Sequence, residues 1–177
     1  MKDKKNLLII GAGSEQIEAY IQAKNLGHNV IGTDVNPNAP AFKYSDNQII
    51  VSTRDIKGTV EAVSKFNESV MINGVMTVAN DVALTVACVA EKLKLPSIPV
   101  KLAEICSNKF KMKKYLTEKN IITPIYEKIY SKDKLEKLLN KWGYPIIIKP
   151  VDGRGARGVV FIRDKEDLKY YDHSVAS

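Results

Sequence analysis

A glycine-rich loop between two apolar runs has the residue types and spacing best suited to phosphate chemistry. Residues 144–162 read YPIIIKPVDGRGARGVVFI, and Lys149 ends the first apolar run. The loop itself contains Gly153, Arg154, Gly155, Arg157 and Gly158. Glycines let backbone N–H groups approach an oxyanion closely, and the cations offset charge that backbone dipoles balance only in part. We therefore expect a strand, a loop over phosphates and a second strand. It is not a P-loop, because no helix opened by GKS or GKT follows it.

A second motif lies upstream, where Ser107, Asn108 and Lys109 precede the run FKMKKYLTEKNIITP. Together the two motifs resemble those of ATP-grasp enzymes such as carbamoyl-phosphate synthetases, biotin carboxylases and related carboxylate–amine ligases. The first resembles the phosphate-binding hairpin of that family, and the second resembles the helix that leads into its ATP-binding domain. Residues 7–107 also resemble the Rossmann-like domain that precedes the ATP-grasp fold. The resemblance thus predicts a pre-ATP-grasp domain over residues 1–107 and a first ATP-grasp lobe over residues 108–177.

The resemblance implies an ATP-dependent ligase that activates a carboxylate as an acylphosphate, which an amine or similar nucleophile then attacks. It implies small-molecule carboxylate and amine partners, and a homodimer is left open. It assigns ATP binding to Lys109, Lys149, Gly153, Arg154, Gly155, Arg157 and Gly158. The Mg²⁺ ligands are expected beyond Ser177, so no metal ligand or catalytic residue is assigned here. We accordingly expect an N-terminal piece of a longer enzyme that is inactive alone. Asp152 departs from the family's usual serine or alanine, and its carboxylate would repel the γ-phosphate unless it turned away.

The order of apolar runs predicts an α/β fold. Strands are expected in LLII, NVIGTD, QIIV and VMINGVMTV, with helices from Ser14 to about Leu26, from Asp55 to about Phe66 and from Val82 to Leu93. Strands alternating with helices indicate a Rossmann-like parallel sheet covered on both faces. For the second part we expect short helices over residues 103–107 and 109–119. Strand, helix, strand, strand and helix should follow in KIYS, KDKLEKLLNKW, YPIIIK, VVFI and DKEDLKYY, making a small α+β lobe.

The turn GAGSEQ after the first strand is a second candidate site. Gly11, Gly13 and Asp34 match three elements of a dinucleotide fingerprint. Gln16 occupies the position of the third fingerprint glycine, where its side chain would crowd the pyrophosphate. An NAD-dependent Rossmann enzyme therefore stays an alternative, as does a non-catalytic nucleotide-binding module. In the family that the chain resembles, this turn faces the acceptor substrate. The substrate-binding candidates are Gly11, Gly13, Glu15, Gln16, Asp34, Thr77 and Asn80. Asn80 or Asp81 could instead cap the helix that begins near Val82.

The composition and charge of the chain argue against a nucleic-acid-binding, exported or membrane-spanning protein. The net charge is +7, and its excess lies mainly in the lysine-rich segment 101–141. Arginines are few and no nucleic-acid recognition signature accompanies the lysines, so nucleic acid is not an expected partner. The apolar run LLII is too short for a signal-peptide core or a membrane span, and we expect a cytoplasmic protein with no membrane contact. Cys88 and Cys106 have no metal-ligand or disulfide spacing.

Overall fold

The computed structural model describes residues 4–153 and 155–171. The chain divides into two compact units, one ending at Glu104 (unit 1) and the other beginning at Ile105 (unit 2). Within the described ranges, no helix is long and apolar enough to cross a membrane.

Unit 1 is a parallel sheet covered on both faces. Its strands are β1 (Asn6–Ile10), β2 (Asn29–Asp34), β3 (Asn47–Ile50) and β4 (Gly74–Met76), in the order β3-β2-β1-β4. Its helices are α1 (Ile17–Asn25), α2 (Ile56–Asn67) and α3 (Ala83–Leu93), with short 3-10 helices at Ser14–Gln16 and Pro40–Tyr44. Helix α4 (Val100–Ser107) spans the division between the units. The predicted parallel α/β architecture is confirmed.

Two apolar clusters explain why this sheet is stable. On one face Leu8 and Ile31 pack with Val63 of α2 and Val89 of α3, all at most 1% exposed. On the other face Ile9 and Val30 belong to a second cluster, which also includes Tyr20 of α1 and Phe42. Because both faces are buried, the strands read as continuous apolar runs, and their carboxyl ends open at one edge of the sheet.

Unit 2 is a small α+β assembly. It contains α5 (Lys109–Glu118), α6 (Lys132–Trp142), the antiparallel strands β5 (Ile146–Ile148) and β6 (Val160–Ile162), and a 3-10 helix at Lys165–Tyr170. Its core consists of Leu135, Leu139, Ile148, Ile162, Leu168 and Tyr171. Leucines at positions 135 and 139 lie one helical turn apart, so α6 turns a single apolar face to the hairpin.

Several predicted details of secondary structure are wrong. Ser14 does not cap an α-helix, because the chain first makes a 3-10 turn and α1 starts at Ile17 without a side-chain cap. Neither Asn80 nor Asp81 caps α3, whose N-cap is Val82 with no side-chain hydrogen bond. The segment KIYS is not a strand, since β5 and β6 pair only with each other in the described part of unit 2. The last predicted helix is a 3-10 helix capped by Asp164. The helix predicted from Asp55 is present as α2, and Asp55 caps it, its Oδ1 accepting from Gly58 N at 2.9 Å.

Candidate functional site

A cavity of about 610 Å³ lies within unit 2 and combines cations with apolar side chains. The start of α5, the segment 124–129 and strands β5 and β6 all contribute to its wall. Its cations are Lys109, Lys113, Lys128 and Lys149, and its apolar and aromatic side chains include Phe110, Tyr126, Ile147 and Phe161. Its volume falls within the range that is usual for small-molecule and cofactor sites.

Ile147 and Phe161 form an apolar pair on the outer face of the hairpin. They are cross-strand partners, and they are 63% and 51% exposed. The neighbouring Ile148 and Ile162 instead lie in the core of unit 2 at 6% and 0% exposure. Sequence reasoning treated residues 146–148 as one buried run and missed this pair. The two-residue alternation of a strand would have placed Ile147 on the outer face. Two large apolar side chains left exposed beside a cavity suit a flat, apolar ligand surface.

Lys149 and Lys109 lie at the same cavity. Lys149 directly follows β5 and is exposed. The Nζ of Lys109 donates to the carbonyl oxygen of Gly153 at 2.9 Å, and its backbone N–H donates to that of Val151 at 2.7 Å. Asn108 caps α5 by accepting from the N–H groups of the next turn, at 3.1 Å and 2.9 Å. The first residue of α5 is thus bonded twice to the chain that enters the glycine loop.

The backbone conformation of the loop favours glycine, whereas lack of space does not explain Gly153 or Gly155. Gly153, Gly155 and Gly158 have φ values of +89°, +64° and +66°. A Cβ atom on Gly153 or Gly155 would meet nothing within 4 Å. Side chains are disfavoured at these φ values because the Cβ approaches the residue's own backbone. Arg157 and Asp152 are exposed, whereas Arg154 lies outside the described residues.

The carboxyl edge of the unit 1 sheet gathers the predicted substrate-binding residues. Gly11 has φ +103°, and a Cβ there would lie 2.9 Å from Nδ2 of Asn80. Asp34 stabilises the same turn, because its two carboxylate oxygens accept from the N–H groups of Ala12 and Asn36, both at 3.0 Å. Gly13 follows in this turn, and Glu15 is exposed beside it.

Gln16 and Thr77 tie the turn after β1 to the turn after β4. Gln16 is 5% exposed, and its Nε2 donates to the carbonyl oxygen of Val78 at 2.8 Å. Thr77 Oγ1 donates to the carbonyl oxygen of Ile10 at 2.7 Å. The Gln16 side chain also lies 3.6 Å from where a Cβ of Gly11 would be. It therefore fills space that a dinucleotide fingerprint leaves open with a third glycine, which argues against NAD at this turn.

The buried side chain of Tyr20 stabilises the turn after β1. Its hydroxyl donates to the carbonyl oxygen of Gly11 at 2.9 Å. Burial raises the pKa of Tyr20 well above its usual value, and the nearby charge of Asp34 raises it further. The phenol consequently stays protonated and keeps its donor role throughout the physiological range.

Comparison with known families defines the class of protein. Residues 7–101 match a family described as "PylC-like, N-terminal domain", and residues 106–176 match one described as "ATP-grasp domain". The chain belongs to the ATP-grasp superfamily, with a PylC-like N-terminal domain.

Individual relatives agree with this family. The chain is 25% identical over 167 residues to a formate-dependent phosphoribosylglycinamide formyltransferase of Prochlorococcus marinus, covering 93% of this chain and 42% of the relative. The corresponding protein of Methanocaldococcus jannaschii is 24% identical over 171 residues, covering 96% and 43% of the two chains. The crystal structure of an L-amino acid ligase from Bacillus licheniformis superimposes with a TM-score of 0.76 at 27% identity, covering 99% of this chain and 43% of that one. The chain therefore spans less than half the length of these relatives.

Proposed function

We propose that this chain supplies the first half of an ATP site, together with an acceptor-binding surface, in an ATP-dependent carboxylate–amine ligase. The observation that carries the proposal is the meeting of Lys109, Lys149 and the exposed pair Ile147 and Phe161 at one cavity of unit 2. Cations beside an apolar wall fit a nucleotide, whose phosphates are charged and whose base is flat and largely apolar.

In this proposal each group of the cavity has a physical task. Ile147 and Phe161 cover the purine ring, because stacking on apolar surface removes both partners from water. Lys149 and Lys109 bind phosphate oxygens through charge-assisted hydrogen bonds. The exposed Arg157 and the N–H groups of Gly153, Gly155 and Gly158 surround the terminal phosphate. Arg154, outside the described residues, is proposed for the same role from its place in the sequence alone.

The proposed reaction transfers the γ-phosphoryl group of ATP to a substrate carboxylate. An O–P bond forms to the carboxylate and the bond to ADP breaks. An amine then attacks the acylphosphate carbon and phosphate leaves. Mg²⁺ ordinarily accompanies ATP and neutralises its phosphates. Among the described residues no cluster of three or more His, Cys, Asp or Glu could hold a metal ion.

Acceptor binding is proposed for the carboxyl edge of unit 1. Gly11, Gly13, Glu15 and Asn80 would face the ligand, while Gln16, Asp34 and Thr77 hold the turns through internal hydrogen bonds. The relatives span more than twice this length, so we propose that the 177-residue chain does not turn over by itself. We also place the activity in the cytoplasm, where ATP and small metabolites meet.

ATP titration by calorimetry tests the proposal, with wild-type and variant forms of the full-length ligase in which the proposed ATP site is complete. Lys149→Ala should weaken ATP binding roughly ten- to a hundredfold, the usual effect of losing a charge-assisted hydrogen bond. Lys137→Ala is the matched control, since Lys137 is an exposed lysine on α6. Thermal melting checks folding. Absence of ATP binding by the wild type, or equal affinity in the well-folded Lys149→Ala variant, would refute the proposed ATP site.

A further inference from the structure

The loop that follows β3 presents a single cation at the carboxyl edge of unit 1. Arg54 is exposed, and it is the only arginine in the sequence before Glu104. We propose that Arg54 binds a carboxylate or phosphate group of the acceptor substrate and so helps to determine specificity. This inference rests on the proposed function, which assigns the acceptor to this edge of the sheet.

Two buried threonines fix the loop that carries Arg54. Thr59 Oγ1 of α2 donates to the carbonyl oxygen of Ser52 at 2.9 Å, and Thr85 Oγ1 of α3 donates to that of Thr53 at 2.8 Å. Thr59 and Thr85 are 0% and 2% exposed. A buried hydroxyl is costly unless it is hydrogen-bonded, so these contacts hold the loop firmly against both helices.

The remaining bonds of the loop hold its backbone on both sides of Arg54. Asp55 N donates to the carbonyl oxygen of Ser52 at 3.0 Å, and Val51 N donates to that of Asp34 at 3.0 Å. Asp55 also caps α2 through Gly58 N. The backbone is therefore ordered before any ligand arrives, while the Arg54 side chain stays exposed. Such preorganisation reduces the entropy that binding must remove.

The Arg54 loop and the turns that carry the other candidate residues lie at the same edge of the sheet. Strand β3 is the second neighbour of β1, which corresponds to roughly 10 Å across the sheet. The Thr53–Thr85 bond also joins the loop to the first turn of α3, the helix that follows the Asn80 turn. A small substrate above the edge could thus contact Arg54 and the Gly11 turn together.

The internal bonds at this edge leave few side chains for recognition. Asp34, Gln16 and Thr77 are occupied in holding the turns. Arg54 forms no ion pair with a carboxylate in the part of the chain that the structure describes. Its planar guanidinium matches the paired oxygens of a carboxylate or phosphate, which a lysine ammonium does not. Arg54 is therefore the side chain of this edge that is suited to an anionic group of the acceptor.

Titration of the ¹⁵N-labelled 177-residue chain with three probes tests this inference. The probes are inorganic phosphate, succinate and the neutral succinamide, at constant ionic strength. Shifts of the Arg54 Nε–H signal and of the Gly11 and Gly13 amides report binding at the edge. Variants Arg54→Gln and Arg54→Lys are compared with Lys57→Gln, which removes an 88% exposed cation from the nearby first turn of α2.

We expect saturable shifts with phosphate or succinate and none with succinamide, and the stronger of the two anions identifies the preferred group. Arg54→Gln should weaken binding roughly ten- to a hundredfold. Arg54→Lys should retain more affinity for phosphate than for succinate, and Lys57→Gln should be unchanged. The inference is overturned if neither anion shifts these signals, or if Arg54→Gln loses no more affinity than Lys57→Gln. ATP titration of the same variants is independent of this result, because Arg54→Gln should keep wild-type ATP affinity. Failure of wild-type ATP binding would count against the proposed function instead.

Discussion

The ammonium group of Lys109 donates to the carbonyl oxygen of Gly153 at 2.9 Å, joining the first residue of α5 to the glycine loop. The same lysine is a proposed phosphate ligand, and one ammonium has only three donors to distribute. A bound nucleotide would therefore share or replace this contact. If Lys109 binds phosphate as proposed, loop position and phosphate binding are coupled through one side chain.

Replacing Lys109 should affect both the loop and the nucleotide. Lys109→Met keeps most of the aliphatic stem but removes the donor, so ATP affinity should fall roughly ten- to a hundredfold. Amide hydrogen exchange of residues 151–153 without nucleotide should also become faster. Lys114→Met, at an exposed position of the same helix, is the control. Equal behaviour of the two variants in both measurements would contradict the assignment.

Two neighbouring isoleucines of the β5–β6 hairpin should differ in whether their replacement by alanine lowers ATP affinity or stability. Ile147 is 63% exposed at the cavity and Ile148 is 6% exposed in the core. Ile147→Ala should lower ATP affinity with little loss of stability, whereas Ile148→Ala should cost about 2–5 kcal/mol of unfolding free energy. Urea unfolding and calorimetric ATP titration of both variants measure the two effects. A stability loss at Ile147 as large as that at Ile148 would mean that Ile147 is a core residue.

Gly11 should resist substitution for two separable reasons. Gly11→Ala places a side chain at φ +103° and a Cβ 2.9 Å from Asn80 Nδ2. Gly27→Ala places one at φ +85° with nothing within 4 Å. We expect Gly27→Ala to cost about 1–2 kcal/mol of unfolding free energy from conformation alone, and Gly11→Ala to cost more. Adding Asn80→Ala should recover part of the excess in urea unfolding. No recovery would show that Asn80 is not the obstacle.

Acid should weaken unit 2 through Asp167. Its carboxylate accepts from Arg163 Nε at 2.9 Å and from the Arg163 backbone N–H at 3.1 Å. These contacts hold the pKa of Asp167 below its usual value. The hydrogen bond from the Arg163 side chain has the larger effect, and the one from the Arg163 backbone comes second. Because its pKa is lower in the folded protein, the ionised Asp167 carboxylate stabilises the fold fully at pH values above the unfolded-state pKa of about 3.9. This stabilisation is lost as the pH falls through the folded-state pKa.

Asp167→Asn should therefore show a smaller loss of stability on acidification than the wild type. Urea unfolding of both proteins between neutral and acidic pH measures the difference. Asp133→Asn, at the exposed first turn of α6, serves as control and should follow the wild-type profile. Parallel profiles for wild type and Asp167→Asn would contradict the role of this carboxylate.

Local patterns predicted the sheet because both of its faces are buried and its strands are continuously apolar. They also predicted a helix from Asp55, whose cap is a local contact, since the accepting carboxylate and the donating N–H of Gly58 lie three residues apart. The failed cap candidates Ser14, Asn80 and Asp81 show that a suitable side chain near a helix start does not ensure a hydrogen bond to the helix. Lys149 and the loop glycines were selected from their spacing in the sequence, and their role in phosphate binding stays a prediction. The Lys109–Gly153 bond joins residues 44 positions apart, and the Gln16–Val78 bond joins residues 62 apart, so no local pattern contains them.

At Gly153 and Gly155 an L-alanine would be disfavoured by the backbone angle φ and not by a clash with neighbouring residues. Their positive φ angles are those that a D-residue prefers, and no neighbouring atom lies within 4 Å of where an L-type Cβ would project. A mirror-image alanine introduced by chemical ligation would suit the backbone that an ordinary alanine strains. It would also restrict the unfolded chain, as substitutions compatible with native backbone angles do. The loop could thus be made stiffer by a single added methyl group, which would test how much its flexibility contributes to the proposed phosphate binding.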